Sequence, residues 1–211
     1  MWRGCMGQSP IDDGLIDLAI RAANHARTLD LACLDERNGK NGDHHIWPGE
    51  HYRLLASLVD LLQPKVIVEF GTFYGLSSLA MKSAQPAGGL LATFDVVLWR
   101  DFPETLLRDE DFQDGSLVQH LDNLADPLAI EKHRELLESA DLIFIDGPKD
   151  GKTEPLLFAN FEKIHFRKQP IMVIDDIHAF KFIPTWEAIR HPKYDITSFG
   201  HWTGTGLVHW R

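Results

Sequence analysis

The chain has 211 residues, with 21 Lys and Arg against 31 Asp and Glu, for a formal net charge of −10. That balance excludes a general nucleic-acid binder, which needs clustered cations to neutralise phosphate. A composition of 44% hydrophobic, 25% charged and 10% aromatic residues excludes disordered and fibrous classes too. The length suits a single α/β domain with a terminal extension better than two independent cores.

Cys5 and Cys33 are too few for a disulfide framework and lack the paired spacing of a zinc site, as suits a reducing compartment. The opening residues lack the apolar stretch of a secretory signal, and no window reaches the ~18 apolar residues that span a bilayer. The expectation is a soluble, cytoplasmic protein with no membrane partner.

In chain order, a first helix is predicted over residues 11–34, where Ile11, Leu15, Leu18, Ala19, Ala22, Ala26 and Leu29 recur at helical spacing. The Asn- and Gly-rich residues 38–43 make a loop. A second helix follows over 50–62, stopped by Pro64. Then apolar runs alternate with helical patterns: a strand at 66–70, a helix at 76–83, and a strand at 90–95. A weaker strand is predicted at 117–121, a helix at 129–139 and a buried strand at 142–145. They are followed by a helix at 154–164, a strand at 170–174 and a helix at 180–190. Strand, helix, strand is the signature of a parallel sheet. The C-terminus reads differently, as strands at 194–199 and 205–210 joined by the turn Gly200-His201-Trp202-Thr203-Gly204, so one closing strand must run antiparallel.

The strong strands end in acids or glycines: Glu69-Phe70-Gly71, Asp95, Asp146-Gly147 and Asp175-Asp176. In open α/β sheets the ligand sits outside that carboxyl edge. Carboxylates there can accept hydrogen bonds from ribose hydroxyls or hold a hard divalent cation. The plain alternative is that Asp favours turns after strands. In the loop Gly71-Thr72-Phe73-Tyr74-Gly75, glycines allow a tight turn and close approach of a ligand at a helix start. Phe73 replaces the second glycine of a dinucleotide fingerprint, which disfavours a nicotinamide dehydrogenase. Gly147-Pro148-Lys149-Asp150-Gly151-Lys152-Thr153 falls one residue short of a phosphate-binding P-loop, and its acids would repel phosphate.

The stretch Val66-Ile67-Val68-Glu69-Phe70-Gly71-Thr72-Phe73-Tyr74-Gly75-Leu76-Ser77 resembles the first motif of class I S-adenosylmethionine-dependent methyltransferases, in the form found in catechol-type and caffeoyl-CoA-type O-methyltransferases. The resemblance runs from about residue 50 to the C-terminus. It implies a Rossmann-like α/β sandwich, with a mostly parallel seven-stranded sheet and a C-terminal antiparallel hairpin. The division is a helical extension over 1–45 and a methyltransferase domain over 46–211.

The resemblance also implies roles. Glu69 and the backbone of Gly71, Thr72, Phe73, Tyr74 and Gly75 would hold the methionine part of S-adenosylmethionine, with Ser77 as the motif serine. Asp95, with Val96 beside it, would take the ribose hydroxyls. Asp122 or Asn123 would meet the adenine amino group, the register there being ambiguous. Asp146-Gly147-Pro148-Lys149 resembles the Asp-x-x-Lys of metal-dependent O-methyltransferases, so Asp146 would border the cofactor, ligate a divalent ion and share the catalysis with Lys149 as base. Asp175-Asp176 falls where that family places an Asp-Asn or Asp-Asp pair. Asp146, Asp175 and Asp176 would then form a magnesium site. The alternatives are a helix cap for Asp175 or Asp176 and a solvated surface charge for Lys149.

The reaction implied is methyl transfer to a hydroxyl of a small molecule. A metal would lower the hydroxyl pKa, Lys149 would take the proton, and the oxygen would attack the sulfonium methyl in line. A sugar- or antibiotic-tailoring methyltransferase of the same fold, and a binding module that keeps the cofactor pocket without turnover, are the competing readings. His44, His45, Trp47, His51, Trp99, Phe102, His178, Trp186, His201 and Trp202 are the aromatic residues placed to border an acceptor pocket. Asp43-His44-His45 matches no standard zinc spacing. The N-terminal helix needs a surface to bury against, either the pocket or a second copy in a homodimer.

Overall fold

Five apolar runs lie side by side as parallel strands: β1 (Val66–Phe70), β2 (Leu90–Asp95), β3 (Leu117–Leu121), β4 (Leu142–Ile145) and β5 (Ile171–Asp175). The computed structural model describes residues 12–39, 42–45, 50–179 and 181–211. The expectations attached to Cys5, Ile11, Trp47 and Phe180 therefore lie outside the described residues. β6 (Lys193–Asp195) and β7 (Thr205–His209) complete a seven-stranded sheet in the order β3-β2-β1-β4-β5-β7-β6. β7 runs antiparallel to both β5 and β6, as the C-terminal turn requires.

Side chains alternate across the strands, and each face collects its own core. Ile67, Leu91, Phe144 and Val173 pack against α1 (Asp13–Ala26), α2 (Ala32–Asn38), α3 (His51–Leu62) and α4 (Leu76–Ser83). Val68, Phe94, Ile143 and Ile174 face α5 (Pro127–Lys132), α6 (Arg134–Glu138), α7 (Thr153–Phe161) and α8 (Ile183–Ala188). Burial on both faces explains why the central strands read as mainly apolar runs rather than alternating ones.

Two helices expected to be continuous are broken. The stretch 11–34 divides into α1 and α2 because Thr28 Oγ1 donates to the carbonyl of His25, and Asp30 Oδ1 accepts the amide of Ala32. Such side chains compete with the helical ladder. The stretch 129–139 starts earlier, with Asp126 capping at Leu128 and Pro127 in the first turn, and breaks at His133. Arg37 ties α2 to the loop before β3 by a two-pronged pair with Asp111, at 2.5 and 2.8 Å. The predicted strand at 194–199 shortens to β6, and residues 196–204 form a longer loop that carries His201.

Register sets the chemistry of the carboxyl edge. Phe70 pairs with Phe94 and with Ile145, and Ile145 pairs with Ile174. The next residue of each strand end, Gly71, Asp95, Asp146 and Asp175, therefore falls in one row. Among the described residues no helix is long and apolar enough to cross a membrane.

Candidate active site

Two cavities open on this row. The first, of about 410 Å³, is walled by Phe73, Phe94 and Phe102 and bordered by Asp95, Asp122 and Asn123. The second, of about 310 Å³, is bordered by His51, Tyr52, Asp175, Asp176 and His201. Gly71, Phe73 and Asp146 belong to both. The first lies in the size range of small-molecule sites and has their apolar walls with a few convergent polar groups. Of the residues expected to hold a cofactor, Gly71, Thr72, Phe73, Tyr74, Gly75, Ser77, Asp95, Val96, Asp122, Asn123 and Asp146 line one cavity or the other.

Glu69 is placed differently. It is 0% exposed and points to the α4 side of the sheet, where Ser77 Oγ donates to it at 2.5 Å and Ser78 Oγ donates to its other oxygen. Burial pushes its carboxyl up to about 7, against the pull of the Ser77, Ser78 and Thr93 hydroxyls. It thus fastens the start of α4 from behind the loop.

Asp95 holds the same loop from the front. One of its oxygens accepts the amides of Thr72 and Phe73, both at 3.0 Å, and the other accepts those of Val96 at 2.7 Å and Val97 at 3.1 Å. Four amides draw on the lone pairs of one carboxylate, so any ribose hydroxyl must share them. Asp95→Ala is expected to cost about 1–2 kcal/mol of stability, because one partly buried and three exposed amides lose their acceptor. The same change should weaken S-adenosylhomocysteine binding at least tenfold; denaturant melts and calorimetry read the two effects. Asp122 is engaged by Lys132 at 2.6 Å and His133 at 2.8 Å, while Asn123 Oδ1 accepts the amide of Ala125.

The β4–α7 loop is not a phosphate cradle. Asp150 accepts the amides of Lys152 and Thr153 at 2.7 and 2.8 Å, which uses the donors a phosphate would need. Glu154, buried and invisible as a site residue in the sequence, accepts the amide of Lys149 at 2.5 Å. Phe73, Lys149 and Asp176 each adopt a left-handed backbone, with φ of 44°, 52° and 58°. Each stands in one of the three loops that enclose the site.

Lys149 Nζ lies 3.0 Å from Asp146 Oδ1 and 3.7 Å from Asp176 Oδ2. Burial works against its charge, but Asp146, Asp176 and Asp175 outweigh it and hold the ammonium protonated above the usual lysine value. Burial in the cleft floor raises the Asp146 carboxyl, with Lys149 opposing and Asp175 adding to the rise. For Asp175 burial is overcome by His201, His51 and Lys149, so its carboxyl sits below the usual range.

Asp175 is 4% exposed, and its Oδ1 has no hydrogen-bond partner. An orphaned buried carboxylate oxygen is the mark expected of a cation site, so the residues present fit a divalent ion. Among the described residues, ligand atoms of Asp175, Asp176 and His201 fall within 4.8 Å of one another. Asp146 is not in that group and pairs with Lys149. The sequence placed His201 and His51 only among aromatics bordering the pocket and missed Tyr52 altogether. His51 and Tyr52 open α3, and burial lowers the imidazole pKa of the former and raises the phenol pKa of the latter. Phe102 walls the first cavity and Trp202 meets the His201 ring edge-on, whereas Trp99 stacks on Phe112, Trp186 packs beneath Gly206, and His178 pairs with Asp195 at 2.8 Å.

No family model matches the chain. It is 27% identical over 150 residues to mouse catechol O-methyltransferase domain-containing protein 1, covering 69% of this chain and 54% of that protein, so it spans about half the length of that curated relative. Among solved structures it is similar to a putative caffeoyl-CoA O-methyltransferase from Staphylococcus aureus (TM-score 0.62, 14% identity, 93% and 100% of the two chains). It is also similar to the Bacillus cereus O-methyltransferase in complex with S-adenosylhomocysteine (0.56, 18%, 94% and 92%). A third is TomG of Streptomyces achromogenes, an O-methyltransferase of tomaymycin synthesis in complex with S-adenosylmethionine (0.56, 21%, 97% and 93%). The seven-stranded sheet with its reversed β7, the glycine loop after β1 and these likenesses agree: the chain has the Rossmann-like fold of the class I methyltransferases and resembles the catechol- and caffeoyl-CoA-type O-methyltransferases.

Proposed function

We propose that the chain is an S-adenosylmethionine-dependent O-methyltransferase that methylates a hydroxyl of a small molecule with the help of a divalent cation. The observation that carries this reading is the position of Asp146, which borders both cavities at once. The Phe-walled cavity suits an adenosyl group, with Asp95 and the Gly71–Gly75 turn at its rim. The acidic cavity suits a cation and the acceptor oxygen. Bound there, S-adenosylmethionine would supply an activated methyl group and a divalent cation would lower the pKa of the acceptor hydroxyl.

The chain itself aligns the two and manages one proton. Methyl transfer breaks the S–CH₃ bond and forms O–CH₃, and the hydroxyl proton has to leave. Lys149 as found is an ammonium and a donor. To take that proton it would first have to release its own to solvent, which a cation offsetting the charge of Asp146 and Asp176 would favour. Most of the acceleration falls to alignment. The exposed Ile16 and Ile20 of α1 give a homodimer contact a place in the same proposal.

The test is calorimetry with S-adenosylhomocysteine, followed by methyl transfer to a panel of catechols and other hydroxylated acceptors with and without divalent cation. Asp146→Asn should reduce cation-stimulated transfer at least 100-fold. Cofactor binding with no cation dependence, and no transfer in either protein, would favour the non-catalytic module. No binding at all would discard both.

A further inference from the structure

We infer that His201 is a metal ligand, and that Asp175, Asp176 and His201 together bind a borderline first-row divalent cation such as Co²⁺, Ni²⁺ or Zn²⁺ in preference to Mg²⁺. The inference rests on the acidic cavity being the cation site of the proposed function, and adds to it the ligand that decides which ion enters. His201 Nδ1 is 3.6 Å from Asp175 Oδ1 and 3.8 Å from Asp176 Oδ1. These separations are too long for hydrogen bonds. They are close to the ~3.4 Å between two ligand atoms that each sit ~2.1 Å from a shared ion at a tetrahedral angle.

Asp175 Oδ1, buried and without a hydrogen-bond partner, stands at the centre: His51 Nδ1 also approaches it, to 3.9 Å. The loop holds His201 in place. Its amide donates to Thr205 Oγ1 at 2.7 Å, and Gly204, at φ +113°, leaves no space for a Cβ against the backbone of His178. Thr203 Oγ1 lies 2.6 Å from the same Nδ1, so an ion reaches that nitrogen only after the Thr203 side chain moves to another χ1 rotamer. Mg²⁺ demands near-ideal octahedral oxygen ligation, whereas imidazole suits the softer transition ions.

A second group, Asp35 with His44 and His45, would confuse a metal titration. The measurement is therefore made in a His45→Ala background. Calorimetry and the visible absorption of bound Co²⁺ are followed with and without His201→Ala, and S-adenosylhomocysteine binding is measured in parallel. The expected result is Co²⁺ at least tenfold tighter than Mg²⁺, a loss of ~10–100-fold on removing His201, and a protein that still binds S-adenosylhomocysteine. Equal Co²⁺ affinity with and without His201, or Mg²⁺ held as tightly as Co²⁺, overturns the inference. Should His201→Ala also lose S-adenosylhomocysteine, the His45→Ala protein decides. One equivalent of Co²⁺ should shift the His201 ring resonances, and unmoved resonances overturn the assignment. Co²⁺ binding through His201 without any S-adenosylhomocysteine binding would retain the metal site and remove the methyltransferase reading. The reverse would do the opposite.

Discussion

Gly71→Ala is expected to destabilise the chain by about 2–5 kcal/mol and to abolish S-adenosylhomocysteine binding. Gly71 has φ +108°, and a Cβ there would lie 2.1 Å from the carbonyl oxygen of Asp146. That contact is to backbone of the neighbouring strand end, fixed by the ladder in which the Asp146 amide donates to Phe70 at 2.8 Å. Relief would require β1 and β4 to separate at the point where both cavities meet. Overpacking costs ~1–3 kcal/mol and a left-handed backbone ~1–2 more, a large part of the ~5–15 kcal/mol that holds a domain folded. Gly88→Ala is the control. Its φ of +75° is also positive, but nothing lies within 4 Å of its Cβ, so it should cost only the ~1–2 kcal/mol of a left-handed backbone. Denaturant midpoints of the two variants separate steric conflict from backbone conformation, and equal midpoints would refute the packing account.

Glu69→Gln is expected to change the pH dependence of stability more than any other single replacement in the sheet. The folded carboxyl keeps its proton up to about 7, against an ordinary value of 4.5. Between those values the folded state binds the extra proton, so stability falls as pH rises. The stabilising contribution is whole below 4.5, declines through the window and is gone above about 7. A difference of that size corresponds to about 3 kcal/mol. Glutamine carries no charge to desolvate, and its amide can meet the Ser77 and Ser78 hydroxyls, which rotate to suit. The variant should match the parent at acid pH and exceed it by up to about 3 kcal/mol at mildly alkaline pH. Parallel pH profiles would show that Glu69 is not the titrating group.

The parts legible in the sequence were those fixed by local chemistry. β1, β2 and β4 are buried on both faces and so are written mainly in apolar residues, broken only by Glu69, Thr93 and Asp95, and the glycines of the β1–α4 loop mark left-handed turns that they adopt easily. β3, half-exposed toward the sheet edge at Val118, Gln119 and His120, gave a correspondingly weak signal. The interruptions of the first helix and of the α5–α6 stretch were hidden. They depend on side-chain bonds by Thr28 and Asp30 and on a His133–Asp122 contact, not on helix-breaking residues. The adjacency of Asp175 and Asp176 was visible. The approach of His201 was not, because it requires β7 to reverse beside β5 and fold its loop over the strand end. Glu69 and Asp95 carried acids to the expected loop, but whether a carboxylate faces ligand or backbone is decided by the side of the sheet and the position of nearby amides.

The left-handed residues Phe73, Lys149 and Asp176 give the molecule an uneven capacity for improvement. Each side chain held at positive φ costs of order 1–2 kcal/mol that glycine would not, and all three occupy the loops where ligands would be gathered. A population selected only for heat resistance should therefore drift toward glycine at these positions and emerge sturdier but inert. One selected for turnover should retain the strain and seek its robustness in the helices on either side.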